Sequence, residues 1–289
     1  MNAWMIAIRP KTLTASLAPI LMGMTLALNE GFTNFPVLAL IILTALSIQV
    51  GTNLTNDYFD FLKGVDTAEK KGSVKVLQKG WVTIQAMRKA IVMVFGAALL
   101  GSCYLIFKGG WPIAVISALS ILFAITYTAG PWPLGHLGLA DPIEFIFFGP
   151  IAVGATYYLI AGAWPLYVTL AGLIPGFLSL AILAIDNLRD YETDKAADKK
   201  TLCVRFGTSF GQFQYYACVF LGFAVPLLLI AITKQHLYSL MCLLTLPFYK
   251  KCLDAVREND CKETLTKALS QTALNLILFV LIFSGGWLL

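Results

Sequence analysis

Two short stretches carry residues whose types and spacing point to chemistry. GTNLTNDYFDF (residues 51–61) supplies Asn53, Asn56, Asp57 and Asp60, and Asp66 follows after a break at Gly64. DNLRDYETD (residues 186–194) supplies Asp186, Asp190 and Asp194 at i, i+4 and i+8, a spacing that shares one helical face. Each stretch closes a long apolar run, where an acid is costly to bury without a partner. Facing carboxylates repel one another unless cations sit between them. A set of oxygen ligands without His or Cys selects a hard ion such as Mg²⁺. Mg²⁺ keeps several waters and binds through a few carboxylates together with substrate phosphates. The expected chemistry is two or more hard cations clamping one polyanionic group.

The two stretches share a register. Asn56 and Asp186 are 130 residues apart, as are Asp60 and Asp190, and again Lys75 and Arg205. This reads as a parallel duplication within one domain spanning 1–289, with half-sites at 53–66 and 186–194. Lys75 as a point charge and Arg205 as a bidentate fork are placed to meet the same phosphates.

The elements that position these residues are membrane helices. The chain is 58% hydrophobic and 13% charged, against roughly 25% charged residues in soluble domains. Nine apolar stretches approach the length of a span: 13–29, 35–61, 86–107, 111–129, 142–162, 165–190, 211–233, 237–249 and 264–288. With the N-terminus in the cytoplasm, every Lys and Arg except Lys108 and Lys234 falls on the cytoplasmic side, and every acid except Glu30 does too. The expectation is an all-α polytopic protein of the cytoplasmic (inner) membrane, with the site facing the cytoplasm and the C-terminus outside. No cleavable signal peptide is visible at the start. The net charge of +5 follows from this topology and does not call for nucleic acid. Six scattered cysteines without a CxxC pair read as packing residues, and His136 and His236 are too few for a histidine metal site. A bland reading, interfacial acids neutralised by lysines, survives for one cluster but fits poorly with two in register. A cation-coupled transporter is the livelier alternative. Its acids tend to lie mid-membrane beside broken helices, whereas these lie at helix ends among basic residues.

With both clusters in hand, the chain resembles the UbiA superfamily of intramembrane prenyltransferases. NDYFDFLKGVD (56–66) is similar to the family's first motif, with two extra residues before the last aspartate, and DNLRDYETD to its second. RPKTLTASLAPILMG, YTAGPWPLGHLGLAD and FFGPIAVGATYYL agree with it, and the longer first motif looks like the branch that prenylates 1,4-dihydroxy-2-naphthoate in menaquinone biosynthesis. The chain departs from that branch at Lys75, Trp132 and Asp186, positions around the diphosphate or the acceptor.

The resemblance implies nine helices around a central cavity that opens sideways to lipid. It implies transfer of a polyprenyl chain from an allylic diphosphate to an aromatic acid, with Mg²⁺ as cofactor and Mn²⁺ as a substitute. Asn56, Asp57, Asp60, Asp66, Asp186, Asp190 and Asp194 are then the metal ligands, some through water. Lys75, Lys200 and Arg205 contact the diphosphate, and Arg9 and Lys11 the diphosphate or the acceptor's carboxylate. Asn53 joins the substrate site, and Tyr58, Tyr127, Tyr157 and Tyr158 are candidates for the π-rich wall around an allylic cation. Asp141 and Glu144 either cap a helix N-terminus or orient an acceptor hydroxyl. Other acceptors, among them 4-hydroxybenzoate, a dihydroxynaphthoate isomer and homogentisate, stay open, as do tail length and oligomeric state.

Overall fold

The computed structural model describes residues 2–64, 75–131, 133–259 and 261–289. Among these residues all regular structure is helical. In chain order the α-helices are α1 Ala3–Ile8, α2 Leu13–Asn29, α3 Phe35–Leu62, α4 Ile84–Thr126, α5 Ala140–Ile146, α6 Ala152–Ala161, α7 Leu166–Arg189, α8 Tyr191–Ala196, α9 Leu202–Phe206, α10 Thr208–Thr233, α11 Leu246–Glu258 and α12 Lys262–Leu288. Local signals fix many boundaries. Asn34 caps α3 by accepting the Val37 N–H, Thr83 caps α4 by accepting that of Ala86, and Thr201 caps α9 by accepting that of Val204.

Seven helical stretches among the described residues are long and apolar enough to cross a membrane: Ala3–Asn29, Phe35–Leu62, Ile84–Thr126, Ala140–Ala161, Leu166–Arg189, Thr208–Thr233 and Lys262–Leu288. The protein is an integral membrane protein. Two expected spans, 86–107 and 111–129, fall on the single 43-residue α4, which is broken at Gly110 (φ 70°, ψ −157°) with Pro112 just beyond. An unbroken helix of that length would be about 65 Å long, twice the roughly 30 Å hydrocarbon core. Another expected span, 237–249, is a 3₁₀ run, Leu237–Thr245, leading into the amphipathic α11, and is not one long apolar helix.

The outer surface, unlike that of a soluble bundle, is apolar over long stretches. α4 turns Val92, Leu100, Phe107 and Trp111 outward, each well exposed, as suits a surface against lipid tails. α7 forms the axis and packs against α2, α5, α6, α10 and α12. Its Ile174, Leu178 and Ile185 are fully buried in a core shared with Met22, Val153, Phe279 and Trp287. Small residues permit the closest approach. A Cβ on Gly149 would lie 2.7 Å from the Gly172 carbonyl oxygen and from the Gly176 Cα, so the π-helical turn Phe147–Ile151 and α7 meet backbone to backbone. This contact fixes α5, and with it Glu144, against α7, which carries Asp186.

Candidate active site

α2 to α7 and α12 enclose a cavity of about 730 Å³. Its deep part is apolar, lined by residues such as Ile20, Ile41, Leu105, Ile113 and Leu159, and its mouth is charged. One side of the mouth is the last two turns of α3. Asn56 lies at the centre of a polar network there. Its Oδ1 accepts from Arg9 Nη2 at 3.0 Å and from Lys75 Nζ at 2.6 Å, and its Nδ2 donates to Thr128 Oγ1 at 3.1 Å. Lys75 also pairs with Asp60 Oδ2 at 2.9 Å, and both side chains are almost fully buried. Asn53 donates to the Ile8 carbonyl and to Thr12 Oγ1, which ties α1 and the turn at Pro10–Thr12 to α3. Arg9 adopts the left-handed region (φ 53°), ending α1 so that its side chain turns toward Asn56.

The opposite side is the end of α7. Arg189 is buried between two carboxylates, donating from Nη2 to Asp186 Oδ1 at 2.6 Å and to Asp190 Oδ2 at 2.7 Å, and from Nε to Asp190 Oδ1 at 3.0 Å. The helix stops at Asp190, and Asp194 sits on the separate short helix α8. The Asp194 N–H donates to the Asp190 carbonyl at 2.8 Å, and this keeps the three aspartates in line across the break. Lys199 Nζ pairs with Asp194 Oδ1 at 3.2 Å. Burial pushes the Asp194 carboxyl up, and Lys199 offsets this only in part. Burial opposes the charge on Lys199 too, but the fields of Asp194 and, from the other side of the mouth, Asp60 raise its pKa overall. The two acidic segments therefore face each other across one opening.

The model of the UbiA prenyltransferase family matches residues 16–287. The chain belongs to the UbiA prenyltransferase family. It is 34% identical to the 1,4-dihydroxy-2-naphthoate octaprenyltransferase of Escherichia coli K12, in a match covering 99% of this chain and 96% of that one. The same fold occurs in a UbiA homolog from Aeropyrum pernix K1 (TM-score 0.71, 14% identity, 95% of this chain and 96% of that one). It occurs also in a UbiA homolog from Archaeoglobus fulgidus bound to GPP and Mg²⁺ (TM-score 0.65, 14% identity, 99% of both chains).

Of the residues expected from the sequence, the UbiA cavity is lined by Arg9, Lys11, Asn53, Asn56, Asp60, Lys75, Tyr127, Asp186, Asp190 and Asp194. Lys11 also donates to Ser270 Oγ on α12 at 2.9 Å. Burial pushes the Tyr127 phenol far above its ordinary range, with Glu144 and then Asp186 adding to the shift. Asp66 lies outside the described residues. Asp57 does not line the cavity. Its Oδ2 accepts the Val76 N–H at 3.0 Å and so anchors the segment that presents Lys75.

Arg205 is not brought to the cavity. It sits at the end of α9, where its Nε and Nη2 donate to the carbonyls of Lys200 and Leu137 at 3.0 and 2.8 Å. The matched register of Lys75 and Arg205 thus does not produce matched contacts, because the chain between Asp194 and Arg205 folds into α8, a turn and α9. The Lys200 side chain is exposed and the residue meets His136 through its backbone N–H, so the lysine that reaches the mouth is its neighbour Lys199. Arg205→Ala is expected to lower thermal stability in detergent, by about 1–3 kcal/mol for the two lost charged hydrogen bonds. The apparent constant for the anionic substrate should hold within about threefold. A larger rise in that constant would return Arg205 to the substrate site.

The other tyrosines are also elsewhere. Tyr58 packs beside Leu54 and the Val76–Leu77 segment, edge-on to Phe59. Tyr158 donates to the Gly109 carbonyl at the break in α4. Tyr157 and Tyr167 both hydrogen-bond to Glu30, just past the end of α2. That point lies about 25 Å of helix rise from the charged mouth, so Tyr157 belongs to the far end of the protein, where Tyr167 stacks on Trp287. Sequence reasoning missed Arg189 and Lys199. Arg189 was within reach, since it stands between Asp186 and Asp190 at i+3 from the first. Lys199 carries no periodic signal because it follows the end of α8.

The donor set fits a hard cation held jointly with a substrate. Asn56, Asp60, Asp186, Asp190 and Asp194 offer only oxygen to the mouth, apart from the amide nitrogen of Asn56. Among the described residues no three of His, Cys, Asp or Glu form a group able to hold an ion by themselves. Mg²⁺ accepts such an open arrangement, because substrate phosphates and water complete its shell.

Proposed function

We propose that this protein transfers a polyprenyl chain from an allylic diphosphate to 1,4-dihydroxy-2-naphthoate, with loss of CO₂, to give demethylmenaquinol. The observation that carries this reading is the cavity itself. Facing acids and buried cations at its mouth suit a diphosphate, and its apolar depth suits a prenyl chain. The Escherichia coli relative, similar over nearly its whole length, supplies the acceptor.

In this reading Asn56, Asp60, Asp186, Asp190 and Asp194, with Asp66 from the following segment, hold the metal. Lys75, Arg189 and Lys199 meet the diphosphate, and Arg9 and Lys11 meet diphosphate or acceptor carboxylate. Mg²⁺, when bound, offsets the charge that grows on the leaving diphosphate. Buried cations add fixed, pre-oriented charge to the same end. Asn53 and Asp57 act by holding α1 and the Lys75 segment in place. Counting the two arms of α4 separately and residues 237–258 as a span gives nine crossings. The N-terminus is then cytoplasmic, the charged mouth opens to the cytoplasm, and the two acidic segments descend from one duplicated unit.

The test is turnover by purified protein in lipid or detergent, given a prenyl diphosphate, Mg²⁺ and a panel of aromatic acids. Prenylated naphthoquinol and diphosphate should appear together with dihydroxynaphthoate. Product from 4-hydroxybenzoate alone would move the acceptor assignment, and no diphosphate with any acceptor would point to a transporter. Excess chelator should abolish turnover, and Mg²⁺ or Mn²⁺ should restore it. Full activity in chelator would remove the metal from this account.

A further inference from the structure

Five carboxylates of described residues line the cavity, and four of them have a cation at hand. Asp60 pairs with Lys75, Asp186 and Asp190 with Arg189, and Asp194 with Lys199. The fifth is Glu144, on α5. No hydrogen bond or ion pair from a described residue reaches its side chain. Nor does it serve the helix dipole, since the acid in the first turn of α5 is Asp141, which is turned away from the cavity and accepts from Gln214. The cavity wall around Glu144 is aromatic. Phe123, Tyr127, Phe147 and Phe148 line the same space, and Phe123 meets Phe147 edge to face with centroids 5.2 Å apart. A flat ring has a place to lie here, beside a carboxylate that no cation among the described residues holds.

Resting on the function proposed above, we propose that Glu144 is the proton acceptor for the aromatic substrate, taking the proton of the C1 hydroxyl during attack and returning it after CO₂ leaves. The electron count defines the role. As C2 of the ring bonds to the terminal prenyl carbon, the prenyl C–O bond breaks and its electron pair leaves with diphosphate. The C1 hydroxyl gives its proton to a Glu144 oxygen and becomes a ketone. C2 then carries ring, prenyl and carboxylate substituents, and the carboxylate lies β to that ketone. Loss of CO₂ sends the C2–carboxylate pair to the C1 oxygen, which takes the proton back from Glu144. No proton is gained or lost over the cycle, so one carboxylate suffices without a relay to bulk water. A carboxylate bound to Lys or Arg is a poorer base, so the paired aspartates are less suited to this step.

The test uses full-length Glu144→Gln and Glu144→Asp in the same membrane preparation as the wild type. Loss of a positioned proton acceptor typically costs 10²–10⁴-fold. Glu144→Gln should therefore lower kcat with dihydroxynaphthoate by about 100-fold or more. Saturation by prenyl diphosphate, and the slow release of diphosphate without acceptor, should stay within about twofold, because the clamp at the mouth is intact. Glu144→Asp should recover at least about tenfold of the lost rate, since a carboxylate returns to the same wall. A Glu144→Gln variant with near wild-type kcat overturns the proposal. So does parallel loss of acceptor-independent diphosphate release, which would place Glu144 with the clamp, and so does a Glu144→Asp variant no better than Glu144→Gln. Failure of the wild type itself to prenylate dihydroxynaphthoate would instead overturn the function on which the proposal rests.

Discussion

Asp60→Asn and Asp190→Asn are each expected to lower prenyl transfer by at least about 10²-fold, the scale of losing one pre-oriented electrostatic group. The two residues stand on opposite sides of the mouth, on α3 and at the end of α7. Each substitution keeps shape and polarity but removes one negative charge from the oxygen set that the proposed diphosphate and its metal would meet. Asparagine is the better probe than alanine. Asp60 is buried against Lys75, and leaving a buried charge wholly without its partner costs about 3–5 kcal/mol, which would mix unfolding with lost chemistry. The measurement is initial rate with both substrates saturating, alongside membrane insertion and thermal stability. A near-normal rate in either variant would show that its carboxylate takes no part in holding the metal.

Lys75→Gln and Arg189→Lys should both raise the apparent constant for prenyl diphosphate and lower kcat, together costing about 10²-fold in kcat/KM. The leaving group gains charge as the C–O bond breaks, so a cation at the mouth stabilises the transition state more than the ground state. Arg189→Lys keeps the charge and loses the fork that engages Asp186 and Asp190 at once. The acceptor's constant should change much less. Saturation curves for each substrate separate the outcomes. If only the acceptor's constant rose, these two cations would belong to the aromatic substrate.

The contrast between Arg189 and Arg205 shows how far sequence spacing carries. Helical periodicity is a local property, so Asn56 and Asp60 could be placed on one face of α3 from their separation alone. The same holds for Asp186 and Asp190 at the end of α7. Apolar runs report the solvent around them, so the membrane class and most of the helices were also legible. Periodicity fails where the helix stops. Asp194 keeps its place through one backbone hydrogen bond across the end of α7. Beyond α8 the equal spacing of Lys75 and Arg205 no longer implies equal position.

The sequence by itself determined that the protein lives in the bilayer, that its acids gather at two helix ends, and that their oxygen chemistry suits a hard cation with a polyanion. Only the tertiary structure decided which cations meet those acids, selecting Lys75, Arg189 and Lys199 and sending Arg205 to the carbonyls of Leu137 and Lys200. It also placed Tyr157 at the far end beside Glu30 and left Glu144 facing the cavity without a cation among the described residues. The physical reason is range. Composition and periodicity record what each segment does with its immediate surroundings. The ion pairs at the mouth join residues near in sequence, but the turns after the helix ends decide which lysine or arginine reaches which acid. Bringing the two acidic segments and Glu144 to one cavity depends on how whole helices cross, and that crossing rests on backbone contacts such as Gly149 against Gly172, which no charge pattern encodes.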